Sequence, residues 1–238
     1  MGVDAIDFSR FTALKGEFEA EGLTRDFMAA EVIYAGRHGL DYCTKIGGCE
    51  AKSDIRFLCG IGVTSVVAPM IESPFAMRKY QEMLPEGVFH HVGVTIETVN
   101  AVERIEAILD ADVKLTEVTI GRTDLTASFG GTGVDSPETM AMVKTVASAA
   151  RARGLGATMG GSVNKGTRDL LRSDPALADI LVSVETRKVV IPVAHFLEDG
   201  VLEDALRIEA VLLQFQSRAY SGVLAEAQNR EQMIKARI

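Results

Sequence analysis

Residues 93–130, GVTIETVNAVERIEAILDADVKLTEVTIGRTDLTASFG, contain two β-rich runs separated by a helical pattern. The β-rich runs are Val92–Ile96 and Glu117–Ile120, and apolar residues recur between them at helical spacing. This order predicts a βαβ unit. Its right-handed crossover makes the two strands parallel, so both carboxyl ends lie at the same edge of one sheet.

An acidic residue follows each of these strands. Glu97 comes directly after the first strand, and Asp124 comes shortly after the second. Two carboxylates at one sheet edge suit a hard divalent cation, because Mg²⁺ is typically held by one or two carboxylates together with water and substrate oxygens. The alternative is that each acid caps a helix or lies in its first turn, where the helix dipole favours negative charge. The residues alone leave both interpretations open.

Three segments resemble the HpcH/HpaI aldolase and citrate lyase β-subunit family. ETVNAVERIEAIL is similar to the family's strand ending in (Q/P)xIET and the helix after it, VTIGRTDLTASFG to its (F/I)IGxxDL(S/T)xxxG motif, and SVVAPMIES to an upstream apolar strand. The similarity covers roughly residues 41–185 and is most specific at 93–130. It implies a (β/α)₈ TIM-type barrel of the pyruvate/phosphoenolpyruvate superfamily, with Mg²⁺ or Mn²⁺ bound by Glu97 and Asp124.

The same resemblance implies a site for the substrate carboxylate. Backbone N–H groups of the segment that contains Gly121, Arg122 and Thr123 are expected to bind it. Arg122 stands where the family often has proline. We interpret this departure as a sign of an additional anionic group on the substrate.

Two further residues at strand ends are candidates for the site. The family carries a basic residue, usually arginine, at the end of the strand that corresponds to Leu40–Gly47, where it contacts the oxygen of the keto acid. Lys45 has the charge for this role but lacks the planar fork of arginine, and the alternative is a salt-bridged or solvent-reaching lysine. Glu72, after the predicted strand 65–70, is either a contact near the substrate or a first-turn acid.

The catalytic base cannot be transferred from the family. The aldolase branch has a histidine in a DGEHAP-like segment, whereas the nearest segment here, GEFEAEG, has Phe18 at that place. Within Leu14–Glu21, the acids Glu17, Glu19 and Glu21 alternate with Phe18 and Ala20, which predicts a strand with one acidic face. Glu19 and Glu21 are therefore the candidate acid or base, unless this face is simply solvated.

The strand count agrees with a barrel. The length of 238 residues is close to the ~250 typical of this fold. We expect one domain over residues 1–238, with an arm at 1–13 and a helical segment at 200–238 that makes contacts in a homo-oligomer. An eighth strand is expected from either 3–12 or 189–193; otherwise the barrel is incomplete. The seven clear strands are predicted at 14–21, 40–47, 65–70, 92–97, 117–121, 156–160 and 179–184.

Composition excludes several classes of partner. The net charge of −8 argues against binding to nucleic acid. No apolar run reaches the ~18 residues of a membrane span, and the N-terminal residues lack a signal-peptide pattern. The three cysteines have no CxxC spacing and are typical of reduced thiols in the cytoplasm.

These observations predict a divalent-metal-dependent carbon–carbon lyase or aldolase. It would act on a small 2-oxo acid or related carboxylate, through the enolate of pyruvate or a similar compound. One alternative is a biosynthetic condensing enzyme or a CoA-thioester lyase of the same superfamily, although the citrate-lyase branch opens with a Phe-Val-Pro strand and an early arginine that are not found here. A second alternative is a non-catalytic oligomeric barrel that binds a metal or ligand.

Overall fold

The computed structural model describes residues 6–111 and 114–235, and eight strands close into a barrel in chain order. Strands β1 to β7 run parallel to one another, as the helical crossovers between them require. The strands are β1 Ala13–Glu17, β2 Asp41–Lys45, β3 Ser65–Ala68, β4 His91–Ile96, β5 Glu117–Gly121, β6 Gly156–Gly160, β7 Ser183–Glu185 and β8 Val189–Pro192.

Helices surround the strands and bury their outward-facing side chains. A 3₁₀ turn at Phe8–Arg10 precedes β1. The helices are α1 Arg25–Arg37, α2 Lys52–Gly60, α3 Pro74–Met83, α4 Val99–Glu103, α5 Ile105–Leu109, α6 Arg122–Ser128, α7 Pro137–Ala152, α8 Lys165–Ser173, α9 Pro175–Ile180, α10 Val193–Phe196 and α11 Val201–Lys235.

The last strand runs in the opposite direction to the other seven. Only residues 186–188 separate β7 from β8, so these strands form an antiparallel hairpin, and β8 also pairs antiparallel with β1. The predicted TIM-type barrel with an atypical eighth strand is confirmed. The run 189–193 supplies that strand and the N-terminal arm does not, although residues 1–5 of the arm lie outside the described residues.

The predicted strand 14–21 is wrong at its end. β1 stops at Glu17, and residues 18–21 form a turn. The alternation of acidic residues continues past the strand, but side chains alternate between two faces only while the backbone stays extended.

The predicted strand 179–184 is also wrong at its start. Asp174 accepts a hydrogen bond from the backbone N–H of Leu177 at 3.1 Å, and Pro175 occupies the first helical position. These are favourable features of a helix start, so α9 extends to Ile180 and leaves only Ser183–Glu185 for β7.

Strand β1 shows how the barrel places charges inside its mouth. Leu14 faces outward and is completely buried in the main hydrophobic core. Ala13 packs in a separate small apolar cluster with Cys43 and Val67. Since alternate residues share a face, Lys15 and Glu17 point the same way as Ala13, into the interior above that cluster.

Helix α11 is 35 residues long, roughly 50 Å. Its buried residues all lie in its first half, the last of them being Leu212. Several large apolar side chains farther along are exposed, including Val223, Leu224 and Ile234. Neither α11 nor any other helix within residues 6–111 and 114–235 has the combination of length and apolar character that a membrane span requires.

Candidate active site

A cavity of about 460 Å³ opens at the carboxyl ends of the parallel strands. This is the edge at which TIM barrels carry their active sites. Strand ends, the loops that follow them and α11 all contribute to its wall. The charged residues that line it are Lys15, Glu17, Lys45, Glu97, Asp124, Glu185, Arg187 and Glu209.

Glu97 follows β4 directly and is only 3% exposed. Its Oε1 accepts a hydrogen bond from the backbone N–H of Met70 at 3.0 Å. Met70 has φ of 52°, in the left-handed region that non-glycine residues rarely adopt. Burial raises the pKa of Glu97, the charges of Asp124 and Glu17 raise it further, and Lys45 and the Met70 N–H oppose the shift.

Asp124 lies in the first turn of α6, which begins immediately after β5, and its exposed side chain lines the same cavity as Glu97. Neither carboxylate has a salt bridge to a lysine or arginine in the part of the chain that the structure describes. Burial is the main cause of the raised pKa of Glu97 and the charge of Asp124 adds to it; a divalent cation between the two carboxylates would offset both effects.

This donor set fits a hard ion with an incomplete protein coordination shell. Within the described residues, no group of three or more histidine, cysteine or acidic side chains is arranged to hold a metal. Glu97 and Asp124 would therefore be two protein ligands, with the other positions left for water and substrate, as is common for Mg²⁺. The fit rests on two carboxylates without cationic partners at one polar cavity.

A chain of ion pairs on β1, β2 and β7 occupies another part of the cavity wall. Lys15 Nζ lies 2.6 Å from Glu185 Oε1 and 3.0 Å from Glu17 Oε1, and Lys45 Nζ lies 3.2 Å from Glu17 Oε2. Burial lowers the pKa of Lys15, but Glu185 and Glu17 outweigh burial and raise it above the ordinary value. Burial raises the pKa of Glu17, but the two lysines prevail and the net shift is downward. Lys15 and Glu17 are thus held in their charged forms.

Lys45 lies where the sequence placed it, at the end of β2 and at the cavity. Its ammonium group pairs with Glu17, and its charge also acts on Glu97 by opposing the upward shift of that pKa. Lys45 therefore links the ion-pair chain to the carboxylate pair.

Glu19 and Glu21 do not line the cavity. Glu19 is exposed, beside Gly47. Glu21 pairs with Lys188, whose side chain is completely buried. The expectation that one of these acids points into the barrel mouth is corrected by the end of β1 at Glu17, which places both in the following turn.

Arg122 points away from the cavity, so its predicted contact with a substrate anion is wrong. The side chain is fully buried. Its Nε donates to the carbonyl of Gly160 at 3.0 Å, Nη2 donates to that of Gly161 at 2.8 Å, and Nη1 pairs with Asp135. Arg122 therefore connects the start of α6 to the end of β6, and these hydrogen bonds go to groups of the protein itself.

The remaining candidates divide into two groups. Gly121 and Thr123 line the cavity, and the Thr123 hydroxyl lies 3.1 Å from that of Ser162. Glu72 does not line it. Its carboxylate accepts a hydrogen bond from the hydroxyl of Thr98 at 2.5 Å. Glu72 therefore stabilises the position of Thr98, the residue that follows Glu97.

The β7–β8 hairpin is anchored by a buried polar cluster. Lys188 Nζ lies 3.0 Å from Glu31 Oε1 of α1 and also pairs with Glu21. Glu31 in turn accepts hydrogen bonds from the Tyr42 hydroxyl at 2.6 Å and from the Gln216 side-chain amide of α11 at 3.0 Å. These contacts fix the hairpin, α1 and α11 relative to one another at the cavity mouth.

Sequence reasoning missed five of the charged residues in the cavity: Lys15, Glu17, Glu185, Arg187 and Glu209. The alternation along β1 carries a signal for Lys15 and Glu17. The position at or just after the end of β7 carries one for Glu185 and Arg187. No sequence pattern within α11 identifies Glu209 as a cavity residue, because its location depends on how α11 packs against the barrel.

The sequence of the matched region settles the family. A family model described as HpcH/HpaI aldolase/citrate lyase matches residues 45–170, more than half of the chain, including both cavity carboxylates Glu97 and Asp124. The chain belongs to the HpcH/HpaI aldolase/citrate lyase family. Comparison with curated proteins finds no match.

Several solved structures of other proteins have the same fold as this chain. An HpcH/HpaI aldolase from Desulfitobacterium hafniense is 17% identical, with a TM-score of 0.58 over 67% of this chain and 72% of the other. Macrophomate synthase is 13% identical, with a TM-score of 0.61 over 90% and 80%. A citrate lyase β-subunit from M. tuberculosis, complexed with oxaloacetate and magnesium, is 20% identical, with a TM-score of 0.55 over 82% and 86%. At these identities the likeness shows the fold alone.

Proposed function

We propose that this protein is a divalent-metal-dependent carbon–carbon lyase that acts through the enolate of pyruvate or a related 2-oxo acid. The observation that carries the proposal is the pair of cavity carboxylates, Glu97 and Asp124, neither of which forms a salt bridge within 4.0 Å in the described structure. Lys45 beside them provides positive charge near the reacting end of the substrate.

Each residue has a distinct role in this proposal. Glu97 and Asp124 would hold Mg²⁺ or Mn²⁺, which when bound supplies Lewis-acid stabilisation of negative charge on the keto oxygen. Lys45 stabilises the same developing charge electrostatically. Backbone N–H groups at Gly121 and Thr123 orient the substrate carboxylate.

Charge balance in the cavity supports a metal-bound anion. Five carboxylates and three cationic side chains line the cavity, so its lining carries a formal charge of −2. A small carboxylate would meet net repulsion in that cavity, whereas a divalent cation makes the lining neutral. The citrate lyase β-subunit bound to oxaloacetate and magnesium gives a precedent for both ligands within this fold.

Condensation is the second candidate. The similarity to a synthase covers 90% of this chain, and the volume of about 460 Å³ leaves room for a second substrate beside pyruvate. Cleavage and condensation share the enolate, so the first experiment addresses that shared step.

The test is deuterium exchange into the methyl group of pyruvate in D₂O, followed by NMR. We expect exchange that requires Mg²⁺ or Mn²⁺, stops with chelator and is lost in Glu97→Ala and Asp124→Ala. Glu19→Gln, in an exposed acid outside the cavity, is the matched control and should exchange normally. Exchange that persists in both alanine variants would contradict the proposed site.

A further inference from the structure

The cavity contains one carboxylate that the proposed function leaves without a role. Glu97 and Asp124 belong to the candidate metal site. Glu17 and Glu185 are paired with lysines at 2.6–3.2 Å. Glu209 also lines the cavity, and no salt bridge within 4.0 Å joins it to a cation in the described structure.

Helix α11 brings Glu209 to this position. Leu206, one turn earlier, lines the cavity as well, while Ile208 and Leu212 on another side of the helix are buried in the core. The Gln216 contact with Glu31 fixes the helix at its next turns. The buried residues Ile208 and Leu212 and the Gln216 contact therefore fix the part of α11 that carries Glu209 at the cavity.

Glu209 lies across the cavity from the carboxylate pair. Glu97 and Asp124 follow β4 and β5, whereas Glu209 is beside Thr186 and Arg187 in the β7–β8 hairpin, three of the eight positions farther around the closed strand order. A substrate held by its oxo-acid end at β4 and β5 would present its other carbon toward this wall.

The surroundings of Glu209 suit proton transfer. Burial raises the pKa of Glu209, and Arg187, Lys188, Lys15 and the Thr186 hydroxyl oppose the shift without cancelling it. A carboxyl group with a raised pKa is a stronger base when ionised and exchanges protons more readily near neutral pH. Glu17, the other carboxylate on this side, has its pKa lowered by two lysines and is a weaker base.

We propose that Glu209 is the base that removes a proton from the methyl carbon of the bound 2-oxo acid, a role that rests on the proposed function. The C–H bond breaks, its proton passes to a carboxylate oxygen of Glu209, and its electron pair forms the carbon–carbon double bond of the enolate, with the negative charge on the keto oxygen. The reverse transfer returns the proton to carbon. Glu209 would thus replace the histidine that the aldolase branch carries and this chain lacks at Phe18.

Two reactions separate this role from the metal site. Exchange of the pyruvate methyl protons requires a base, whereas decarboxylation of oxaloacetate produces the same enolate by loss of CO₂ and removes no proton from carbon. We expect Glu209→Gln to lower exchange at least 100-fold and to change oxaloacetate decarboxylation and Mn²⁺ affinity less than threefold. Glu209→Asp should recover part of the exchange, and Glu226→Gln, in an exposed acid farther along α11, should match the wild type.

The pH profile gives a second readout. Exchange by the wild type should rise with pH as Glu209 ionises, with a midpoint above the ordinary glutamate value of 4.5, and this dependence should be absent from residual exchange in Glu209→Gln.

The results of these experiments distinguish the proposed lyase function from the proposed role of Glu209. Exchange within threefold of wild type in Glu209→Gln would overturn the role of Glu209 and leave the proposed function intact. An equal fall in exchange and decarboxylation would also overturn it. Wild-type protein that decarboxylates oxaloacetate but does not exchange pyruvate protons would refute a base at this site, and wild-type protein that does neither would overturn both proposals.

Discussion

Glu97 packs directly against Gly121, so that a Cβ atom on residue 121 would lie 2.8 Å from Glu97 Oε2 and 3.0 Å from its Cβ. Gly121 has φ of −84°, which any residue can adopt, so the requirement for glycine here is one of space. The last residue of β5 therefore leaves the room in which the carboxylate after β4 takes its position at the cavity.

Gly121→Ala is expected to displace Glu97 and weaken Mn²⁺ binding by about tenfold or more, a change of roughly 1.4 kcal/mol. Isothermal titration calorimetry measures the affinity. Gly36→Ala is the control, because a Cβ at this helical position meets no atom within 4 Å. Equal Mn²⁺ affinity in both variants would show that Gly121 does not determine the position of Glu97.

Glu97→Gln is expected to stabilise the protein without metal. The pKa of Glu97 is raised in the folded state, so the folded protein holds the Glu97 proton more tightly than the unfolded chain does. The folded state therefore loses stability as pH rises from 4.5, the ordinary glutamate pKa, through the raised value. Glutamine removes this cost and retains an acceptor for the Met70 N–H. We expect a gain of about 1 kcal/mol at pH 7 with chelator, or roughly 2–4 °C in Tm, and little gain near pH 4.

Added metal should reverse that order. A ligand at 100 times its Kd stabilises the folded state by about 2.7 kcal/mol. The wild-type Tm should therefore rise with Mg²⁺ or Mn²⁺, while the Tm of Glu97→Gln should not. Scanning calorimetry checks both effects, and a similar metal-induced rise in the two proteins would be inconsistent with Glu97 as a ligand.

Lys45→Met is expected to lower the rate of pyruvate exchange about 100-fold at saturating metal, equivalent to about 2.7 kcal/mol of lost charge stabilisation. Lys45→Arg should retain most of the rate, because arginine preserves the charge and is the usual family residue at this position. If Lys45→Met exchanges as fast as the wild type, the ammonium group acts only through its pairing with Glu17.

Arg122→Met is expected to destabilise the fold rather than to alter substrate affinity. It removes the ion pair with Asp135 and the hydrogen bonds to the carbonyls of Gly160 and Gly161, at a cost of about 3 kcal/mol. This corresponds to a fall in Tm of roughly 6–12 °C. Arg218→Met, at an exposed position, is the control. An unchanged Tm with weaker substrate binding would restore the original sequence interpretation of Arg122.

The exposed apolar face of α11 is expected to mediate a homo-oligomer. Val223 is 67% exposed and Leu224 and Ile234 are each 59% exposed, on a helix segment that extends beyond its buried first half. Deleting residues 217–238, or the double substitution Val223→Glu with Leu224→Glu, should lower the mass measured by light scattering. Circular dichroism verifies that the barrel stays folded, and an unchanged mass would contradict this use of α11.

Local sequence was sufficient to place three of the charged residues at the cavity. Glu97, Asp124 and Lys45 each follow or end a strand whose pattern is readable, and parallel strands bring such residues to one edge. The closing strand was among the alternatives because Val189–Pro192 is apolar, but its reversed direction follows from the short connection at 186–188.

The errors arose where packing decides the direction of a side chain. Arg122 lies at a strand–helix junction, and its direction depends on carbonyls of β6 that are distant in sequence. Glu19 and Glu21 follow an alternating pattern that the backbone abandons after Glu17. Glu209 reaches the cavity only through the packing of α11, which no pattern within that helix reveals.

Binding of Mn²⁺, followed by electron paramagnetic resonance together with relaxation of ¹³C-labelled pyruvate, tests the central claim most directly. We predict one tightly bound Mn²⁺ per chain, enhanced relaxation of the pyruvate carboxyl and keto carbons, and the loss of both signals in Glu97→Gln and Asp124→Asn. Mn²⁺ binding of unchanged affinity in these two variants, or a folded wild-type protein that binds no Mn²⁺, would contradict the account.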